Sequence, residues 1–392
     1  MFTLLKKGHV FAPHSLGRKD ILIAGSQIQA IRSPGEIQIK GASLKEIDAS
    51  EKIVIPGIID THVHILGGGG EGGPATRAPE ITIQDIISSG VTSVIGCLGT
   101  DGTTRHMESL LAKARGLQEE GVSTYVFTGS YQFPVITITK DVCTDLTLID
   151  KVLGAGEIAV SDHRSSQPTF EEFARLASQC RVGGLLGGKP GILHCHIGSG
   201  PRKLDMLFRL IKETEIPPTQ VIPTHTNRNS ELFEEAVKFI HQGGTIDITA
   251  PPHPQSPHGS ELTLPKCLQL CQEKKAALSQ ITISSDSNGS LPVFDEKGQL
   301  VGLTVGTQKS LLENFRFLLQ TNTLALEDTI RLFSTNPSQF YQLPQKGEIK
   351  EGKDADLILL NKDYQLSDCL AMGKIMMSSG KIWAKSTLNR KT

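Results

Sequence analysis

The residues that could do chemistry are histidines at the ends of apolar runs: His62 and His64 in IVIPGIIDTHVH, His194 and His196 in GILHCHIG, and His225 in VIPTHTN. Side chains two apart on a strand face the same side, so His62 and His64 converge, and converging imidazoles begin a divalent-metal site. Asp286, in ITISSDSNG, adds a carboxylate. His62, His64, His196, His225, Asp286 and one further carboxylate can hold two divalent ions. Imidazole and carboxylate suit zinc, and also manganese, cobalt or nickel. A metal pair polarises a carbonyl and makes hydroxide available at neutral pH. Asp286 then has the role of general base and acid, taking a proton from water and handing it to a leaving amine. His194 faces the same side as His196, deeper in, and is the alternative ligand. His9, His14, His106, His241, His253 and His258 fall in loops or helices and read as surface residues.

A second set of residues restricts what could be bound. Glu71 follows four glycines, Gly67 to Gly70, whose backbone can approach a ligand closely. It is an anion suited to an amine. Arg164, in SDHRS, and Arg228, in THTNR, are fixed cations suited to bidentate carboxylate binding. One anion and two cations fit a small zwitterion with an amine and two carboxylates. Tyr131 can donate to an oxygen that gains negative charge during attack. Each of these four, taken singly, is also compatible with a surface charge or a packing residue at a rim.

The elements that must position these groups alternate strand and helix. Eight candidate strands cover 53–64, 91–99, 122–131, 151–161, 191–198, 221–227, 244–250 and 281–289. Stretches such as HMESLLAKARGLQEEG, FEEFARLASQC, KLDMLFRLIKET, SELFEEAVKFIHQ and LPKCLQLCQEKKAAL carry apolar residues at helical spacing. Eight such units over about 250 residues predict an α/β fold of the (β/α)8 TIM-barrel type. A doubly wound sheet shows the same alternation. The polar residues discriminate: His62/His64, Thr100 and Asp101, Tyr131, Glu157, His196, His225 with Arg228, and Asp286 with Ser290 all fall at strand ends. A closed ring brings them to one mouth. Residues 1–56 and the far C-terminus read as short strands with Gly, Pro and Ser punctuation. They predict a small β-sandwich domain from 1–56 plus 344–392, with the barrel, 57–343, inserted between them.

With 40 basic and 41 acidic side chains, no charge field favours nucleic acid or an anionic membrane. No apolar run is long enough for a membrane span, and the N-terminus lacks a signal-peptide pattern. The seven cysteines are scattered and read as reduced, and the protein as cytoplasmic. Cys267 and Cys271 read as small buried apolar residues of a helix.

PGIIDTHVH, the later histidines, SSDSNGS and the closing GEIKEGKDADLILL resemble the amidohydrolase superfamily. Within it, HILGGGGEGGPATRAPE, GCLGTDG, SDHRS, RVGGLLGGKPG, PTHTNRN and GGTIDIT are similar to the bacterial isoaspartyl dipeptidases, and the similarity runs through nearly the whole chain. It implies a metal-dependent peptidase that cleaves β-aspartyl dipeptides, with two zinc or other divalent ions, and a large homo-oligomer, an octamer by resemblance. It implies Glu71 for the substrate amine, Tyr131 for the carbonyl oxygen, and Arg164, Arg228 and Ser290 for carboxylates. Backbone around Gly69 and Thr100 lines the pocket in the same reading. In the family a carboxylated lysine usually bridges the metals. The matching position here is Glu157, and Lys140 and Lys151 are out of register. A carboxylated lysine is about 3–4 Å longer in reach than a glutamate, from ordinary bond lengths. Glu157 therefore bridges only if its backbone runs closer to the metals, a path that Gly154 and Gly156 permit. Alternative readings are another amidohydrolase (an N-acyl amino acid deacylase or a cyclic-amide hydrolase) and a non-catalytic scaffold of the same fold. Those amide substrates lack a free amine for Glu71, and a scaffold is expected to have lost ligands.

Overall fold

The apolar runs form eight parallel strands in a computed structural model that describes residues 2–255, 259–294 and 300–386. They are β1 (Ile58–Val63), β2 (Val91–Gly96), β3 (Ser123–Thr128), β4 (Val152–Val160), β5 (Ile192–Ile197), β6 (Val221–Thr224), β7 (Ile246–Thr249) and β8 (Ile281–Ser284). Strands β1 to β6 pair in chain order as one sheet, and β7 pairs with β8. Two further sets of hydrogen bonds join these pieces. Thr226 N donates to Asp247 O at 3.4 Å; at the other seam Asp286 N donates to His62 O at 3.1 Å and His64 N to Ser287 O at 2.9 Å. The result is a TIM-barrel-like ring whose strand residues are buried on both faces, as parallel strands covered by helices require.

The surrounding helices include Met107–Glu120, Phe170–Gly187, Asp205–Glu213, Ser230–His241, Leu264–Glu273 and Lys309–Gln320. Local chemistry starts them. Thr169 and Glu172 form a reciprocal capping box, and the Asn229 and Thr263 side chains accept from the first turns of their helices. Buried residues recur at helical spacing, as in Leu110, Leu111, Ala114 and Leu117, and pack on the strands in one core. Cys267 and Cys271 lie in that core.

Two elements differ from the sequence reading. The run 53–64 is not one strand. It breaks at Gly57, where a Cβ would lie 2.2 Å from the Thr92 hydroxyl oxygen, and Ile53–Pro56 leaves the barrel to join the terminal sheet. After β8 the chain forms an antiparallel hairpin, Ser290–Phe294 with Leu300–Val305, before its helix. Among the described residues the terminal sheet has nine strands, eight on one hydrogen-bonded path and the ninth, Leu44–Asp48, paired beside Phe2–Phe11. Its join is Ile53–Pro56 against Leu357–Leu360, so first and last segments of the chain share a sheet.

Candidate active site

The strand ends bring six of the sequence-derived residues to one point. Glu157 is fully buried and lies between two histidine pairs. Its Oε2 is 3.1 Å from His62 Nε2 and 3.7 Å from His64 Nε2; its Oε1 is 2.7 Å from His196 Nδ1 and 3.1 Å from His225 Nε2. Asp286 Oδ1 completes the group, 3.0 Å from His64 Nε2 and 3.6 Å from His62 Nε2. Ligand atoms sharing one tetrahedral zinc at about 2.0–2.1 Å sit about 3.3 Å apart, which these separations bracket. Despite that proximity, His62 Nε2, Glu157 Oε2 and Asp286 Oδ1 are buried without a hydrogen-bond partner. Buried polar atoms are almost always paired, so lone pairs aimed at a common point without hydrogen-bond geometry fit metal ions. One cluster of possible ligand atoms is His62, His225 and Asp286; another is Glu157, His196 and His225.

The backbone that carries Glu157 is bulged. Leu193 pairs with Ala155 and Cys195 with Ile158, so β4 carries one residue more than β5 across a bulge that holds Gly156 and Glu157. A Cβ at Gly154 would lie 2.0 Å from Ile192 O, and one at Gly156 2.8 Å from His194 Cβ. Such close strand contact requires glycine. Lys151 lies at the opposite end of β4, donating to Thr124 O at 2.8 Å. Burial disfavours a charged Glu157, but His62 and His196 beside it hold its carboxyl well below the usual range. His225 and Asp286 have φ of 60° and 52°, left-handed backbone that L-residues adopt at a cost of about 1–2 kcal/mol and that clusters at functional sites.

His194 does not join the group. Its ring stacks on Phe127 at 4.8 Å between centroids, and Tyr341 Oη lies 3.4 Å from its Nδ1. His9, His14, His106, His241 and His253 are exposed, and His258 lies outside the described residues.

Above the cluster opens a cavity of about 370 Å³ whose walls include Gly69, Glu71, Thr100, Tyr131, Arg164, Arg228 and Ser290. Glu71 accepts from the Thr100 hydroxyl at 2.9 Å, from the Ser290 hydroxyl at 3.0 Å and from Arg164 Nη1 at 3.3 Å. Ser290 thus faces the carboxylate that was expected to bind an amine. Arg228 is tied to Ile197 O through Nε at 2.7 Å. Tyr131 Oη is 2.7 Å from His196 Nδ1, and burial together with the Glu157 charge pushes its pKa well above the usual phenol value, so it keeps its proton.

The sequence reading missed the supporting residues. Arg105 donates to Gly68 O at 2.7 Å and Gly69 O at 3.2 Å, and pairs with Asp101 at 3.0 Å, clamping the glycine loop that carries Glu71. Outward nitrogens of the histidines rest on Thr224 (3.3 Å from His62 Nδ1), Cys97 (3.8 Å from His64 Nδ1) and Thr249 (2.7 Å from His225 Nδ1). The Thr224 hydroxyl donates onward to the buried Asp247 carboxylate at 2.7 Å. Nothing in residue type or spacing marks these partners; only their place on neighbouring strands does.

The amidohydrolase family model matches residues 192–383. A crystal structure of β-aspartyl dipeptidase from Fervidobacterium islandicum AW-1, in complex with the β-Asp-Leu dipeptide, is 42% identical, covers 97% of this chain and 98% of its own, and superposes with a TM-score of 0.89. A curated dihydroorotase of Streptococcus pneumoniae is 24% identical over 91% of this chain and 90% of its own length. A D-hydantoinase structure shares the fold at 15% identity and a TM-score of 0.67, covering 100% of this chain and 98% of its own. With that identity sustained from end to end, the chain belongs to the β-aspartyl dipeptidase family of amidohydrolases.

Proposed function

We propose that this hydrolase cleaves the β-linked amide of isoaspartyl dipeptides, using two divalent ions, zinc among the candidates, held by His62, His64, Glu157, His196, His225 and Asp286, with Glu157 as the bridge. The observation that carries the reading is the cavity. Its floor is a set of imidazoles and carboxylates with unpartnered atoms; its walls carry the Glu71, Asp162 and Glu261 carboxylates and the Arg164 and Arg228 guanidinium groups. Bound there, the ions would polarise the substrate carbonyl and lower the pKa of a water. The chain's own groups do the rest. Glu71 takes the substrate ammonium, exchanging its internal partners for it. Arg164 and Arg228, with Ser290, hold the carboxylates, and backbone at Gly69 and Thr100 lines the path. Tyr131 donates its O–H to the carbonyl oxygen as that oxygen gains charge. Asp286 accepts the proton of the attacking water and returns it to the nitrogen as the C–N bond breaks, releasing aspartate and the second amino acid.

The same reading divides the chain into a β domain, 1–56 plus 344–392, and a barrel domain, 57–343. The terminal sheet then closes as a sandwich around Leu5, Val10, Ile21, Ile28, Val54 and Leu357, which share one buried cluster. It also carries a cytoplasmic homo-oligomer, with the exposed Leu148, Val182, Leu185 and Leu186 as a candidate meeting surface. Among the described residues no helix is long and apolar enough to cross a membrane.

The test is hydrolysis of β-Asp-Leu against α-Asp-Leu by the purified protein loaded with zinc, with metal content measured in parallel. Cleavage of the β form alone supports the reading. Two bound metals without cleavage would move the activity to another amide. A cyclic amide is the second reading, favoured by the dihydroorotase relatives and disfavoured by Glu71, which such a substrate gives nothing to bind.

A further inference from the structure

His196 is turned opposite to the other three histidines of the cluster. Its Nδ1 faces Glu157, and its Nε2 meets a carboxylate, Asp162 Oδ2, at 3.0 Å. The outward partners of His62, His64 and His225 are neutral hydroxyl or thiol groups, which can accept or donate. A carboxylate only accepts, so Asp162 draws a proton to Nε2; Glu157 Oε1, 2.7 Å from Nδ1, makes the same demand there until an ion takes that place, and with the ion bound the proton on Nε2 leaves the Nδ1 lone pair as the ligand.

Two other groups at the same nitrogen pull the opposite way. Arg164 Nη2 lies 3.2 Å and Arg228 Nη2 3.3 Å from His196 Nε2. Guanidinium groups only donate. Left alone with them, Nε2 would offer its lone pair outward and the proton would move to Nδ1, the atom that faces Glu157 and the metal cluster. Asp162 is nearer than either, and only 8% exposed. It also binds Arg164 directly: Oδ1 accepts from Arg164 N at 2.7 Å and Nε at 3.0 Å, and Oδ2 from Nη2 at 2.9 Å. That grip leaves Arg164 Nη1 pointing to Glu71 at 3.3 Å, on the cavity wall.

We propose that Asp162 is a positioning residue that selects the Nδ1-ligating tautomer of His196 against the two guanidinium groups and, with the same carboxylate, aims Arg164 into the cavity. One side chain thereby builds part of the metal site and part of the substrate-carboxylate site as a unit. The inference rests on the functional reading above for what Arg164 binds, and on the metal cluster for what His196 binds.

The test compares wild type, Asp162→Asn, Asp162→Glu and Arg164→Lys. An asparagine at this position has one acceptor oxygen for the donors that Asp162 serves with two. With that oxygen turned to Arg164, its NH2 faces His196 Nε2 and favours the wrong tautomer. Removing such an outer partner typically costs about 10- to 100-fold in metal affinity or activity. Asp162→Asn is expected to lose zinc to a chelator at that lower threshold while keeping its melting temperature, and to show both a higher KM for β-Asp-Leu and a lower kcat. Asp162→Glu is expected to recover part of the metal retention. Arg164→Lys is expected to raise KM and keep its metal.

Wild-type metal retention in Asp162→Asn would overturn the proposal. Equal metal loss in Arg164→Lys would overturn it too, since the effect would then belong to the loop as a whole. Should Asp162→Asn fail to fold, nitrogen-15 histidine NMR of the zinc-loaded wild type decides. His196 must show a protonated Nε2, and a protonated Nδ1 overturns the assignment. Wild type that binds zinc but cleaves no β-Asp-Leu would sink the functional reading alone, leaving the metal comparison to judge Asp162.

Discussion

At the scale of single residues, Glu157 decides how this site differs from one built on a carboxylated lysine. A glutamate carries its charge without a modification. Activity recovered by adding zinc to metal-free protein should therefore be the same with and without bicarbonate; a bicarbonate requirement would contradict the bridging role. Glu157→Gln keeps the volume and removes the charge that both histidine pairs share. It is expected to lose metal and more activity than the about 100-fold typical of an outer-shell change, read by elemental analysis and kcat. Tyr131→Phe removes the donor proposed for the carbonyl oxygen. Loss of such a donor costs about 100- to 1,000-fold in kcat, and KM should change little because the bond strengthens as charge develops. The histidines were legible in the sequence because a spacing of two on a strand fixes a shared face. Asp162 and Arg105 were not. One serves a ring 34 residues away, and the other serves backbone carbonyls, which no residue letter records.

At the scale of elements, the β4 bulge sets the reach of Glu157 and the glycine loop sets Glu71. The alternation of strands and helices was plain from periodicity, since each strand is a short run rich in apolar residues and the helices carry a buried stripe. The break at Gly57 was not, because 53–59 is apolar throughout and the side of the break a residue belongs to depends on its pairing partner. The hairpin after β8 carries no strong alternation to announce it, yet it delivers Ser290 to Glu71. Glycine at 154 and 156 was read as permissive, and the contacts explain why. Gly156→Ala places a methyl 2.8 Å from His194 Cβ and 2.9 Å from His194 O. Overpacking of this kind costs about 1–3 kcal/mol. The variant should melt earlier and retain less metal, because relief of the clash moves the peptide that carries Glu157. Arg105→Met, in contrast, should leave metal content unchanged and raise KM by about 10- to 100-fold, the cost of small misplacements of a binding group. Loss of metal from that variant would show that the glycine loop supports the cluster as well as the cavity.

At the scale of the whole molecule, the barrel and the terminal sheet meet through a buried charge. That both chain ends are strand-like was legible; that they share one sheet, and what ties it to the barrel, depended on contacts hundreds of residues apart. Lys346 is 4% exposed, and its Nζ donates to Ser123 of β3 at 2.6 Å, pairs with Asp356 at 2.6 Å and with Asp354 at 2.8 Å. Asp356 in turn accepts from Met372 N at 2.7 Å, beside the terminal strands. A buried ion pair contributes little net stability when compared with an apolar substitute, but removing one partner strands the other and costs about 3–5 kcal/mol. Lys346→Met should therefore lower the denaturant midpoint sharply, while Asp356→Asn alone should cost less, since Lys346 keeps Asp354. The double variant should recover part of the loss, because neither charge is then left buried without its counter-charge. The cluster lies at the start of β3, away from the strand ends that carry the proposed metal ligands, so kcat for β-Asp-Leu in the folded variants should stay near wild type. If Lys346→Met proves as stable as wild type, the join does not depend on this pair. Stability would then come from the apolar contacts that Ile55, Ile358 and Cys369 make within the barrel core.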